Sequence, residues 1–164
     1  MEALLIAFSK WLASTELSHT IQTTTWIIPT VQTVHILCVA IVFSSAVLVD
    51  LRIFRLFERD EPLREVMRRF IPPIWLVLFV LLATGSLLII GEPRRSLVNT
   101  AFYLKMTLLL IAIVITAVLQ RTVLSSPAFF EGRQGAGRAL AALSVLVWCG
   151  ILFAGRWIAY TQAG

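Results

Sequence analysis

His35 is the residue around which chemistry could be built. It lies about nine residues into an apolar run that begins at Trp26, roughly 13 Å along a helix at 1.5 Å per residue. A histidine at that depth is costly in lipid unless it is paired or used, as a metal ligand, a proton carrier or a binding group. Gln32 precedes it by three residues on the same helical face and Cys38 follows it by three. The plain structural alternative is a neutral imidazole hydrogen-bonded across helices to Thr84 or Gln32.

The elements that must position these residues are four long apolar runs, at about 26–50, 71–91, 101–121 and 139–160 of a 164-residue chain. A hydrocarbon core of about 30 Å needs roughly 20 apolar residues, so each run is long enough to cross. With 59% hydrophobic residues and a mean hydropathy of +0.89, a small water-soluble core could not hold that much apolar surface. The expectation is an all-α fold in one domain over 1–164: an integral membrane, antiparallel four-helix transmembrane bundle with an N-terminal interfacial helix at about 2–20. Large residues Leu4, Leu5, Phe8, Trp11 and Leu12 recur there at helical spacing, which suits a helix in the membrane interface or one packed on the bundle. Lys10 interrupts the stretch and no basic cluster precedes it, unlike a cleaved signal peptide.

Basic residues near the span ends set the orientation. Arg52, Arg55, Arg59, Arg64, Arg68 and Arg69 follow the first run, and Arg121, Arg133 and Arg138 follow the third. The opposite side holds Lys10, Arg94 and Arg95, with Lys105 and Arg156 just inside their helices. Both termini are therefore expected on the outer, periplasmic side of a bacterial inner membrane. The arginines are interleaved with Glu58, Asp60, Glu61 and Glu65, so the net charge of +5 reads as a topology signal and a lipid-headgroup contact, not as a nucleic-acid surface. Pro62 with Leu63, Val66, Met67 and Phe70 predicts a short amphipathic helix that Pro72 and Pro73 end before the second span. Residues 125–137, rich in Ser, Pro and Gly, predict an irregular loop. Small residues Gly85, Ser86, Gly150, Ala154 and Gly155 predict close helix approach.

With that topology, His35, Thr84, Lys105 and Arg156 all fall in the outer half. Two cations about a turn inside the membrane, above a deeper histidine, suit an anion. Haem b fits such a pocket, with His35 on the iron and its propionates on Lys105 and Arg156. The second axial ligand is open: His19 lies sixteen residues earlier, and Met106, a five-coordinate iron or a ligand from a second chain are the alternatives. A softer set, His35 and Cys38 with Cys149 and Met106, would suit monovalent copper instead. Snorkelling to lipid phosphate explains either cation taken alone, and no bound cofactor is the third option. Asp50, at the inner end of its run, is expected to pair with Arg52, Arg55 or water. No Ser-His-Asp, paired-carboxylate or phosphate-loop signature is present, so a stand-alone catalyst is not indicated.

The run Trp26-Ile-Ile-Pro29, Gln32-Thr-Val-His35-Ile, the Asp50-Leu-Arg52 exit, Pro73-Ile-Trp75, Thr84-Gly85, Asn99-Thr-Ala-Phe102-Tyr-Leu-Lys105 and the closing Gly155-Arg156-Trp157-Ile-Ala-Tyr160 resemble a family of small uncharacterised bacterial inner-membrane proteins. That family is more distantly similar to copper-resistance protein D and to b561-type cytochromes, where a histidine early in a span is a haem or metal ligand. The resemblance implies that His35 and Lys105 matter. Leu119-Gln120-Arg121 departs from the cytochrome pattern, which would place a second histidine there. Three functions follow as expectations: a haem-b electron carrier or membrane anchor of an oxidoreductase, a copper or small-solute permease subunit, or a non-catalytic assembly subunit. A homodimer or a larger membrane complex is the expected setting.

Overall fold

The computed structural model describes residues 2–58, 60–125, 134–158 and 160, and among them all regular structure is helical. Two short helices, α1 (Glu2–Ala13) and α2 (Glu16–Thr23), precede the long α3 (Ile27–Ile53). Then come α4 (Leu63–Gly91), the short α5 (Pro93–Leu97), α6 (Thr100–Ser125) and α7 (Gln134–Trp157). Helices α3, α4, α6 and α7 are each long and apolar enough to cross a bilayer. A third or less of each apolar window is buried within the protein. Leu82, Phe79, Leu146 and Phe153 stand exposed on the outside of the helices, a surface that suits lipid and not water. The protein is an all-α, multi-pass membrane protein built as a four-helix bundle.

Helix α3 packs on α4 and on α7, and α6 packs on α7 and more briefly on α4. The ring order α4, α3, α7, α6 makes every neighbour antiparallel, because successive spans run in opposite directions. Each helix offers a stripe spaced by three and four residues: Val42, Ala46 and Val49; Met67, Ile71 and Ile74; Ala112, Ile115, Leu119 and Val123; Val147 and Ile151. That spacing is the seam by which helices interlock side by side. Most of these residues lie from the middle of the bundle toward the end that carries Asp50, Ile151 being the exception. Toward the His35 end, residues 27–37 of α3 and 100–111 of α6 contribute no buried side chain.

Three local expectations change. The amphipathic stretch after Pro62 is not a separate interfacial helix; α4 runs unbroken through Pro72 and Pro73 to Gly91. Val66 and Met67 are buried on the same stripe as Ile71 and Ile74, so core packing holds the helix together across the prolines. The rings deprive the Arg68 and Arg69 carbonyls of their helical donors, a small cost at an arginine-rich end near water. Pro62 itself sits just outside the helix as its extended N-cap. Helix α7 begins at Gln134, inside the predicted loop, while positions 126–133 fall outside the described residues.

The N-terminal segment is two helices, not one. Ser14 and Thr15 turn their hydroxyls back onto the Trp11 and Leu12 carbonyls, both at 2.7 Å, and so compete with the helix for its acceptors. Thr15 then caps α2 by accepting from the Ser18 amide. Helix α2 is docked: the Ser18 hydroxyl donates to the Ile90 carbonyl at 2.7 Å, and Ile21 is buried against Gly91, where a Cβ would come within 2.9 Å of Ile21 Cγ2. Helix α1 packs on α5 and leaves Leu4, Phe8 and Trp11 exposed, an apolar face turned away from the bundle. The segment thus combines the two alternatives, packed through one face and membrane-facing through the other.

Candidate functional site

At the His35 end the four long helices bring polar or small residues together: His35 from α3, Thr84 and Gly85 from α4, Lys105 from α6 and Gly155 from α7. His35 is half-buried, and its Nδ1 lies 2.8 Å from the Thr84 hydroxyl oxygen. The Thr84 hydroxyl also lies 2.9 Å from the Val80 carbonyl and 3.3 Å from that of Leu81, so its one proton is directed into its own helix. The oxygen is left to accept from His35. This assigns the proton to Nδ1 and leaves Nε2 with its lone pair. Gly85 lets the ring lie close to α4, with His35 Cε1 3.6 Å from where a Cβ would be.

Lys105 reaches the same region from α6. Its Cδ, Cε and Nζ all run 3.8 Å from the position a Cβ on Gly155 would take, so the glycine provides the groove along which the stem lies. The ammonium is near enough to His35 to act on it electrostatically. Among the described residues Lys105 forms no ion pair. A bare lone pair and an unpaired cation in a half-buried, largely apolar setting can together take an anion that also offers a metal or a proton.

The remaining expected residues lie elsewhere. Arg156 is exposed and committed to Tyr160, donating to its hydroxyl at 2.8 Å with the guanidinium 5.1 Å from the ring centre. The guanidinium is thus engaged with an aromatic ring one turn on, rather than held in the buried interior. Gln32 is exposed, and of the two partners expected for His35 it is Thr84 that meets the ring. His19 is exposed on α2, and Met106, though next to Lys105 in sequence, is 39% exposed on another face of α6. Cys38 is buried and Cys149 exposed, each a free thiol. Among the described residues no three of His, Cys, Asp and Glu gather closely enough to cage a metal.

A second polar group was not anticipated. Asp50 is 1% exposed and faces the Ser144 side chain of α7. Arg52, one of its expected partners, donates to the Glu61 carbonyl across the loop. The signal was present: Asp50 continues the Val42, Ala46 stripe by one more turn, so it shares the buried face.

Helical topology and lipid-facing surface define a polytopic membrane bundle with one polar cluster near each end. The chain belongs to DUF6644, a family of unknown function, matching it over residues 8–161. No curated protein and no solved structure matches the chain.

Proposed function

We propose that this protein is a membrane electron-transfer subunit that holds a haem b at the His35 end of the bundle. The observation that carries the reading is the oriented imidazole: His35 Nδ1 lies 2.8 Å from the Thr84 hydroxyl oxygen, whose own proton can go to the Val80 carbonyl, so Nε2 is the nitrogen offered to a ligand, and among the described residues Lys105 forms no ion pair. An acceptor on one ring nitrogen fixes the orientation of a histidine whose other nitrogen binds a metal. Haem fits the donor set through one histidine nitrogen and one cation for a propionate. The group would supply one-electron chemistry; His35 would hold it through Nε2, Lys105 would offer its charge to a propionate, and the apolar helix faces would wall it in. Met106 and His19 are turned away, so this chain offers one axial ligand, and a second subunit is the natural source of another. The arginine-rich loops support an orientation with the His35 end and both termini on the periplasmic side of a bacterial inner membrane.

The test is the absorption spectrum, oxidised and dithionite-reduced, of detergent-purified protein expressed with adequate haem. A Soret band with sharp reduced α and β bands, lost in His35→Ala while the four-span topology persists, is the expected result. A featureless spectrum of the folded protein would overturn the proposal.

A further inference from the structure

Helix α4 has 29 residues, about 43 Å at 1.5 Å per residue, and so exceeds a hydrocarbon core of roughly 30 Å. Its apolar stretch starts at Ile71, which leaves residues 63–70 beyond the hydrocarbon at the Asp50 end. One exposed stripe runs from that extension along the helix into the membrane: Arg64, Arg68, Pro72, Trp75, Phe79 and Leu82. Steps of three and four residues keep all six on one face, distinct from the face that buries Met67, Ile71 and Ile74.

The charged end of the stripe suits a phosphate. Among the described residues neither Arg64 nor Arg68 forms an ion pair. Two other arginines at this end are occupied: Arg69 pairs with Glu58 at 3.1 Å, and Arg52 donates to the Glu61 carbonyl. Glu65 is the one acidic residue within 63–70, so basic charge is in excess there. Arg64 and Arg68 are one turn apart, with their Cβ atoms about 5–6 Å from each other, and two guanidinium forks at that spacing can reach the same phosphate. Arg68 stands three residues past Ile71, about 4–5 Å along the axis, which is the depth of the headgroup layer.

The apolar end of the stripe suits acyl chains. Trp75 Nε1 donates to Gln120 Oε1 of α6 at 2.9 Å, which anchors the exposed indole to the neighbouring helix. Phe79 and Leu82 carry the same face deeper and are among the most exposed side chains of the bundle. Arg121, which follows Gln120 in α6, is exposed and also forms no ion pair among the described residues. A free anion would use only the arginines, whereas a ligand with its phosphate in the headgroup layer and its chains in the hydrocarbon uses the whole stripe. A zwitterionic lipid brings its own cation to compete with the arginines; an acidic one does not. We propose that this face of α4 binds an acidic phospholipid of the leaflet at the Asp50 end, with Arg64 and Arg68 on the phosphate and Trp75, Phe79 and Leu82 along the chains. The site is independent of any cofactor at His35.

The test places the full-length protein in phosphatidylcholine bilayers containing either phosphatidylglycerol or phosphatidylcholine with brominated chains, which quench tryptophan on contact. Quenching that disappears in Trp75→Phe belongs to Trp75 and not to the other four tryptophans. One basic residue at an acidic surface is worth about a fivefold change in binding. Trp75 should therefore prefer the brominated phosphatidylglycerol by at least fivefold, and Arg64→Gln with Arg68→Gln should bring the two lipids to within twofold of each other. Arg64→Lys with Arg68→Lys should keep a preference, which separates lost charge from lost fold. Lys10→Gln with Arg94→Gln, an equal loss of charge at the other end of the bundle, should change nothing. Equal quenching by the two lipids in the unaltered protein would overturn the proposal, as would a preference indifferent to the double glutamine variant at Arg64 and Arg68. No quenching of Trp75 by either lipid would also overturn it, since protein would then cover the stripe. Loss of the preference in excess free glycerol phosphate would do the same, by making this a site for soluble phosphate.

Discussion

Thr84→Val tests the arrangement at His35 most directly, because it deletes one oxygen while nearly conserving volume. The Thr84 hydroxyl is the acceptor for His35 Nδ1 at 2.8 Å, and its own bonds to Val80 and Leu81 are to carbonyls within the same helix. Removing it leaves the imidazole N–H without a partner. A fully buried orphan would cost about 1–3 kcal/mol. His35 is half-buried, however, and side-chain hydrogen bonds between membrane helices average about 0.6 kcal/mol, so about 1 kcal/mol is expected. The larger consequence is chemical. With no acceptor on α4, the proton redistributes between the two ring nitrogens, and the affinity of Nε2 for a metal should fall about 10–100-fold, as for other outer-shell partners. The assay is the nitrogen resonances of the imidazoles, which are few enough to assign because the chain has only His19 and His35. His35 should show a single Nδ1–H tautomer in the unaltered protein and in Thr84→Ser, and a mixture in Thr84→Val. A pure Nε2–H tautomer in the unaltered protein would refute the assignment and with it the free lone pair.

Lys105→Met should leave the fold as stable as before or more so, since it removes an unpaired cation from a half-buried place; haem titration of the same variant should show binding weakened at least tenfold, and unchanged binding would refute the propionate role. Arg156→Leu should alter haem binding less than twofold, because its guanidinium is engaged with Tyr160, and a tenfold loss in the same titration would restore Arg156 to the site. Gly91→Ala should destabilise by about 1–3 kcal/mol, read as a lowered midpoint in detergent unfolding, because the new methyl would sit 2.9 Å from Ile21 Cγ2 and push α2 from its seat. Gly150→Ala places its methyl 3.1 Å from the flexible end of Leu108 and should cost less in the same measurement.

Class and span number were legible in the sequence because a bilayer imposes a length: about 20 apolar residues per crossing, whatever the packing. The same rule made His35 conspicuous, since a polar residue in such a run has few inexpensive places to go. It also explains why Lys105 could be placed at the same end as His35 from topology alone. Helical period along one run could not say which face met which neighbour. Gln32 and Thr84 were equal candidates for His35 by sequence, and only the pairing of α3 with α4 put Thr84 opposite the ring and left Gln32 outside. Arg156 and Lys105 sit at similar depths on their runs, yet a rotation about α7 turns the arginine to Tyr160 while the glycine beside it, Gly155, takes the Lys105 stem. Local rules likewise ended a helix at Pro72 and Pro73, and burial of Val66 and Met67 on the core stripe overrode them. Asp50 read as an end residue near arginines, whereas the approach of α7 gave it Ser144. Sequence by itself determined the solvent each segment must occupy, because that depends on summed transfer free energy along the chain. The tertiary structure decided which polar groups meet, because that depends on helix rotation and order around the bundle, and those are fixed by contacts between residues far apart in sequence.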